Sequence, residues 1–172
     1  MRPQHGDYAE FYDSYISLVE GEDIVKVLEK QLQTSGKFFS SITEEQSDFS
    51  YADGKWTVKE VIRHVIDTER IMAYRALAFA RGEKQSLPGY EQDDYVASNN
   101  FTERRIEDLV NEYRTLRVSN IVLFNSFNEK ELIKKGTAGG REISVLSLAF
   151  IIAGHELHHI NILKEKYLKQ LY

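Results

Sequence analysis

The 172-residue sequence contains no cysteine, which excludes disulfide bonds and thiolate metal ligands. Any metal site must therefore use histidine, carboxylate or water ligands. Proline is scarce, at two residues, and a composition that is 42% hydrophobic and 28% charged is typical of an ordered globular chain. We expect one domain over residues 1–172, because a chain of this length can bury enough surface for a single core.

The sequence also lacks an excess of positive charge, since 22 Lys and Arg residues stand against 27 Asp and Glu residues and the net charge is -5. A negative field repels phosphate backbones, so a nucleic-acid partner is not expected. The most hydrophobic stretch, Val145 to Ala153, is far shorter than the roughly 18 residues that suggest a membrane span. The N-terminal residues MRPQHGDYAEF lack the apolar segment of a signal peptide. We therefore expect a cytoplasmic protein without a membrane partner.

Four segments have the apolar periodicity of long helices, and the first covers about residues 23–42. The second begins at Thr57, where Glu60 completes a capping box three residues later, and continues to Arg81. Trp56, just before this box, is expected to pack as a hydrophobic staple. These signals predict that the chain is built mainly from helices.

The third helical pattern opens at Thr102 and continues toward Phe127, and the fourth begins near Ile143 and continues to Leu168. Strand signals are scarce, and KKGTAGGRE before the fourth helix is predicted to be a loop. Gly154 inside the fourth helix weakens it, so we expect a packing reason such as close helix approach. The patterns together predict an all-α four-helix bundle.

A long connection, GEKQSLPGYEQDDYVASNN, separates the second and third helices. At roughly 3.3 Å per extended residue it can follow the full length of a helix. Since such loops are uncommon in compact bundles unless they have a function, we interpret it as a crossover that lets these two helices run parallel and could cover a pocket. Tyr90, Asp93, Asp94 and Tyr95 could line that pocket, although a hydrated acidic loop is the simpler explanation. An up-down-up-down bundle with a long exposed loop is the alternative.

Three of the five histidines fall in the segment HELHHINIL. His155 and His159 are one helical turn apart on an apolar stripe, so their rings can turn toward a common point. His158 faces about 100° away from its neighbour and is left out of the candidate ligand set. His64 is the obvious third candidate, because it lies among apolar residues of the second helix. Three convergent imidazoles suit a metal ion, but inward histidines can also be hydrogen-bonded core residues.

Three segments, KWTVKEVIRHVIDTERIMAYRALAFARGE, LPGYEQDDYV and AFIIAGHELHHINILKEKYL, resemble the DinB/YfiT-like superfamily, in particular its DinB-like domains. The resemblance covers most of the chain. It implies a four-helix bundle of up-down-down-up topology, in agreement with a crossover between helices two and three. It also implies a metal held by His64, His155 and His159, and an activity as a metal-dependent hydrolase or a low-molecular-weight thiol transferase.

A site with three histidine ligands leaves a coordination position open for water or for a small-molecule substrate such as a thiol. Zinc is the first expectation for histidine ligation, while nickel, iron and manganese also accept imidazole. Asp67 and Glu69 could orient a ligand or act as a base, but solvated pairing with Arg63 or Arg70 is the simpler explanation.

Two classes of function remain open at this point. One is a metalloenzyme, and the other is a non-catalytic helical module stabilised by an ion or by hydrogen bonds. The chain carries ten tyrosines and nine phenylalanines, enough aromatic residues to serve both the core and a homodimer interface.

Overall fold

The computed structural model describes residues 1–98 and 104–170, and in these residues the fold is helical apart from one short hairpin. A 3-10 turn at Glu10–Tyr12 precedes the regular elements, and a π-helical turn at Leu163–Tyr167 and a 3-10 turn at Leu168–Gln170 follow them. The regular elements are, in chain order, α1 (Asp13–Ile16), α2 (Ile24–Ser40), α3 (Glu44–Ser47), α4 (Val58–Ala80), α5 (Gln92–Ala97), α6 (Ile106–Asn125), α7 (Glu129–Leu132), β1 (Lys135–Ala138), β2 (Arg141–Ser144) and α8 (Val145–Ile162).

The helix boundaries follow local capping chemistry. At the start of α4, the backbone N–H of Glu60 donates to Thr57 Oγ1 at 3.2 Å and the backbone N–H of Thr57 donates to Glu60 Oε2 at 2.6 Å. This is the predicted capping box. At the start of α8, the backbone N–H of Ser147 donates to Ser144 Oγ at 3.1 Å. Both helices that carry the candidate histidines therefore have a fixed first turn.

The directions of α2 and α8 can be read from their side-chain contacts. Gln31 Nε2 donates to the carbonyl oxygen of Ala153 at 2.9 Å, and Ser35 Oγ donates to Glu156 Oε1 at 2.5 Å. Residue numbers rise together along the two helices. The helices α2 and α8 are therefore parallel.

The helices α4 and α6 are also parallel. Arg63 Nη1 donates to Glu112 Oε1 at 2.6 Å. Six residues further along α4 and five further along α6, Arg117 Nε donates to Glu69 Oε1 at 2.8 Å. Parallel neighbours need a connection that returns along the bundle, and the segment between α4 and α6, described at residues 81–98 and 104–105, belongs to that connection.

The start of α4 lies beside the end of α8, where Tyr167 Oη donates to the carbonyl oxygen of Trp56 at 2.9 Å. These two helices are therefore antiparallel. With α2 parallel to α8 and α4 parallel to α6, the four long helices have the up-down-down-up topology that the sequence predicts, and the up-down-up-down alternative is wrong.

Two hydrophobic clusters fill the interior, one toward each end of the bundle. Buried polar residues lie between these clusters in every long helix. They include Gln31 and Ser35 of α2, His64, Thr68 and Glu69 of α4, Arg117 and Asn120 of α6, and His155 and Glu156 of α8. We call this set the polar layer.

The helix α8 is the central helix of the bundle, since every residue from Val145 to Glu156 is buried. By length and composition alone, Val145–Tyr167 would pass for a membrane span, and 72% of its most apolar window is buried inside the fold. A helix that is apolar on all sides is expected in such a position.

The structure differs from the sequence prediction just before α8. The segment KKGTAGGRE, predicted to be a loop, forms the antiparallel hairpin β1–β2, and Ile143, predicted to begin the fourth helix, lies in β2. Gly139 and Gly140 make the two-residue turn with φ of 57° and 75°, values that favour glycine. The predicted start of the third helix at Thr102 lies outside the described residues.

Gly154 lets α1 lie directly on α8, which is the close approach expected from the sequence. A Cβ atom at residue 154 would overlap the carbonyl group of Tyr15. At Gly36 of α2, by contrast, a Cβ atom would meet the ring of Tyr113 at 3.8 Å, an ordinary contact, and the side chain of Arg114 at 3.3 Å. That long side chain can move, whereas a backbone carbonyl group cannot.

We therefore expect Gly154→Ala to lower the free energy of unfolding by about 1–3 kcal/mol, because overpacking outweighs the gain in helix propensity. Gly36→Ala is the matched control and should leave stability unchanged or raise it by up to about 1 kcal/mol. Urea denaturation measures both variants. Equal stability of Gly154→Ala and the wild type would contradict the close packing of α1 on α8.

Candidate metal centre

The three candidate histidines lie together between α4 and α8, two of them, His64 and His155, in the polar layer and His159 beside it. His64 Nε2 lies 2.9 Å from His155 Nε2, and His159 Nε2 lies 3.1 Å from the same atom. One potential ligand atom from each ring lies within 4.8 Å of the other two. The convergence expected from helical spacing is therefore present in the fold.

Burial keeps these imidazoles neutral. His64 and His155 are only 3% and 6% exposed. Burial lowers the pKa of His64 to about 4, although the charge of Asp93 opposes the shift. The pKa of His159 falls to about 3, mainly through burial and then through the neighbouring histidines, and the same causes hold the pKa of His155 well below its usual value. At neutral pH the rings carry no charge, and each has one unprotonated nitrogen whose lone pair can bind a metal.

The contacts between the rings fit a cation better than a hydrogen-bonded core. A neutral imidazole nitrogen offers either one proton or one lone pair. His155 Nε2 faces both His64 Nε2 and His159 Nε2, so it can satisfy only one of them by a linear hydrogen bond. Zn–N bonds of about 2.0–2.1 Å would separate two tetrahedral ligand atoms by roughly 3.3 Å, close to the 2.9 and 3.1 Å that separate His155 Nε2 from the other two rings. The donor set therefore suits a divalent ion.

Two aromatic side chains position the rings. The ring of Trp56 lies 5.0 Å from that of His64, and the ring of Tyr15 lies edge-on to His155 at 5.4 Å between centroids. Trp56 also packs against the cluster at the start of α4, as expected of a staple. No pattern in the sequence selects Tyr15, because this residue precedes the first periodic segment. His158 contacts Tyr15 and lies outside the convergent set, as its helical position indicates.

The two acidic residues considered near His64 have different environments. Asp67 pairs with Arg63 at 3.2 Å and with Arg70 at 3.8 Å, as predicted. The same prediction for Glu69 is wrong, since Glu69 is 2% exposed and accepts two hydrogen bonds of 2.8 Å from Arg117. Periodicity alone does not reveal a buried partner on another helix.

Glu156 belongs to the same buried network. Its Oε2 accepts from Arg117 Nη2 at 2.5 Å and its Oε1 accepts from Ser35 Oγ at 2.5 Å. Burial raises the pKa of Glu156, and the charge of Arg117 opposes that shift. Residues 155–159, HELHH, fit the HExxH spacing of zinc proteases, in which the glutamate is the general base. Here Glu156 is fully buried against Arg117 and Ser35, so it is not placed to act as that base.

A cavity of about 430 Å³ reaches the centre at His155. Its walls come from α1 and the turn before it, from α4, from the crossover, from the hairpin turn and from α8. Tyr90 and Asp93 of the crossover line it, as the sequence suggested, whereas Asp94 and Tyr95 do not. A small molecule in this cavity would lie against one of the three converging rings.

Comparison with known proteins places the chain in a family. The sequence profile of the DinB superfamily matches residues 28–163. A protein from Oceanobacillus iheyensis, named as a candidate metal-dependent hydrolase, is 23% identical over 143 residues, which are 81% of this chain and 82% of the relative.

Solved structures show the same fold. YfiT from Bacillus subtilis, described as a probable metal-dependent hydrolase with an unusual four-helix bundle topology, aligns with a TM-score of 0.77 at 17% identity and covers 100% of this chain and 94% of its own. A mycothiol-dependent maleylpyruvate isomerase aligns with a TM-score of 0.66 at 14% identity, over 84% of this chain and 61% of the isomerase. A DinB-like protein from Bacillus subtilis aligns with a TM-score of 0.62 at 13% identity, over 88% and 94% of the two chains.

The histidine pKa values predict how the metal-free protein responds to acid. Because the folded pKa of His64 is about 4 and the usual value is 6.5, the unfolded chain takes up the proton first. Stability is therefore full above pH 6.5 and falls as the pH drops toward 4. In chelator-treated protein, His64→Gln should reduce the slope of the free energy of unfolding against pH by up to about 1.4 kcal/mol per pH unit. Urea denaturation at a series of pH values measures this slope. His158→Gln should reduce the slope less. If the free energy of unfolding depends on pH in the same way for His64→Gln and the wild type, the burial of a neutral His64 ring is contradicted.

Proposed function

The chain belongs to the DinB superfamily, and on this basis we propose that it is a metal-dependent hydrolase in which His64, His155 and His159 hold one divalent ion. The observation that carries the proposal is the convergence of three neutral imidazoles from two helices, of which His64 and His155 are buried and His159 is half-buried. The names of the Oceanobacillus relative and of YfiT support the choice of a hydrolase. Zinc is the preferred ion, and nickel, iron and manganese are the alternatives.

The ion would supply Lewis acidity, which lowers the pKa of a coordinated water or thiol group. The residues of this chain hold and orient the site. Three neutral rings occupy three positions and leave the side toward the cavity for the substrate. The volume of the cavity limits the substrate to a small molecule.

A second candidate activity is the transfer of a low-molecular-weight thiol. Structural similarity to the mycothiol-dependent isomerase favours it, because a protein that contains this fold depends on a low-molecular-weight thiol. A thiol substrate would enter by the same cavity and meet the same three rings. Cytoplasmic location, the absence of nucleic-acid and membrane partners, and homodimer formation stay predictions from the sequence.

Metal analysis tests the ligand set. Purified without a histidine tag, the wild type should contain about one divalent ion per chain, and His64→Ala or His155→Ala should weaken binding by more than the roughly 10–100-fold that loss of an outer-shell partner causes. His158→Ala is the matched control, because it removes a neighbouring ring outside the convergent set. Unchanged metal content in His155→Ala would contradict the proposal.

Turnover separates the enzyme from a metal-stabilised module. We expect metal-dependent hydrolysis of small esters or amides, or transfer from small thiols, that falls by at least about a hundredfold in His64→Ala and persists in His158→Ala. Chelation should also lower the melting temperature of the wild type, since an ion at 100 times its Kd stabilises the fold by about 2.7 kcal/mol. A large melting shift without turnover on any of these substrates would favour the non-catalytic module.

A further inference from the structure

Arg75 differs from the other buried cations of the described chain. Lys59, Arg75 and Arg117 are each at most 6% exposed. Lys59 and Arg117 each contact two carboxylates. Within residues 1–98 and 104–170, Arg75 pairs with none, and its hydrogen bonds go to the carbonyl oxygen of Pro88 at 2.8 Å and to Met72 Sδ at 3.6 Å. A buried guanidinium without an anion is costly unless a ligand supplies one.

The same arginine lines the cavity that reaches His155. A guanidinium has five N–H donors, and the two hydrogen bonds to Pro88 and Met72 leave three of them for a ligand. The planar guanidinium can direct two parallel N–H groups at the two oxygens of one carboxylate. Arg75 therefore offers an anion site in the cavity that also contains a candidate metal ligand.

Aromatic side chains surround this site. The guanidinium carbon of Arg75 lies 5.9 Å from the centre of the Tyr90 ring, and Tyr90 Oη lies 2.7 Å from Thr68 Oγ1. Tyr12 and Tyr15 form further walls of the cavity. Burial raises the pKa of Tyr12 and of Tyr90, and the charge of Arg75 opposes both shifts, so these hydroxyl groups stay protonated within the field of the guanidinium. They can donate to an anion and pack against an apolar body.

The other charges at the cavity favour a singly charged ligand. Arg141 is exposed at the rim, with its guanidinium carbon 4.9 Å from the centre of the Phe11 ring. Glu91 and Asp93 also line the cavity and are exposed. These two carboxylates would repel a doubly charged phosphate more strongly than a monoanion. One planar carboxylate on Arg75 matches the donors that are present.

We propose that this cavity is the binding site of a small organic acid, whose carboxylate pairs with Arg75 while its body packs between Tyr12, Tyr15 and Tyr90. The group that reacts then lies toward His155. The assignment of the reacting end rests on the proposed metal-dependent function, whereas the carboxylate site does not require a metal.

Metal-free protein, prepared by chelation, isolates the carboxylate site. The probes are 3-phenylpropionate and 3-phenylpropanamide, which share one shape and differ in charge. Ligand-observed NMR titration should show that the acid binds the wild type at least about tenfold more tightly than the amide, and that Arg75→Gln removes this preference. Arg81→Gln is the matched control, because Arg81 lies just beyond the same helix, pairs with Glu131 and does not line the cavity.

Circular dichroism establishes that each variant is folded. If Arg75→Gln does not fold, Arg75→Met replaces it, since methionine has a long side chain without charge or N–H donors, and the preference should again disappear. Equal binding of acid and amide to the wild type, no saturable binding of the acid, or an unchanged preference in the folded Arg75 variant would overturn the proposal. Metal content, measured on separate samples, reports on the histidine site alone, so the two proposals can fail independently.

Discussion

The guanidinium of Arg117 holds the four long helices in one register. It extends from α6 and donates to Glu69 of α4, to Glu156 of α8 and, at 3.4 Å, to Gln31 of α2. Because a buried charge that loses a partner destabilises a fold by about 3–5 kcal/mol, sliding any helix past the others is strongly unfavourable. His155 directly precedes Glu156, and His64 lies just over one turn before Glu69. The contacts that satisfy one arginine therefore also fix the backbone positions from which the histidine rings project.

Features that depend on neighbours in sequence could be predicted. The capping box at the start of α4 is local chemistry, and it lies where the sequence indicates. The shared direction of His155 and His159 follows from helix geometry. The apolar neighbours of His64 were enough to predict that its ring points into the bundle. The length of the connection between helices two and three was sufficient to favour a crossover. In each case, the information lies within a few turns of one helix or in the length of one loop.

Features that depend on distant partners could not be predicted. The sequence around Glu69 has the same apolar periodicity whether this side chain faces water or Arg117. A single polar residue does not change that periodicity, so the buried partner could not be predicted. Arg75 stands out only when the carboxylates around it have been located in three dimensions. The hairpin at residues 135–144 was missed because its strands have four residues each and contain few β-branched side chains. Gly136 is required there by the ring of Phe79, which occupies the space of a side chain.

The central position of α8 affects how the protein is made. This helix is the last of the four long helices to leave the ribosome, yet it supplies two of the three converging rings and contacts residues more than 100 positions earlier, such as Gln31 and Ser35. Until it emerges, the nascent chain exposes the apolar faces that α2 and α4 bury against α8. The polar layer and the histidine centre can therefore be completed only after α8 has been translated, and a chain that ends before α8 would be a substrate for chaperones and proteases.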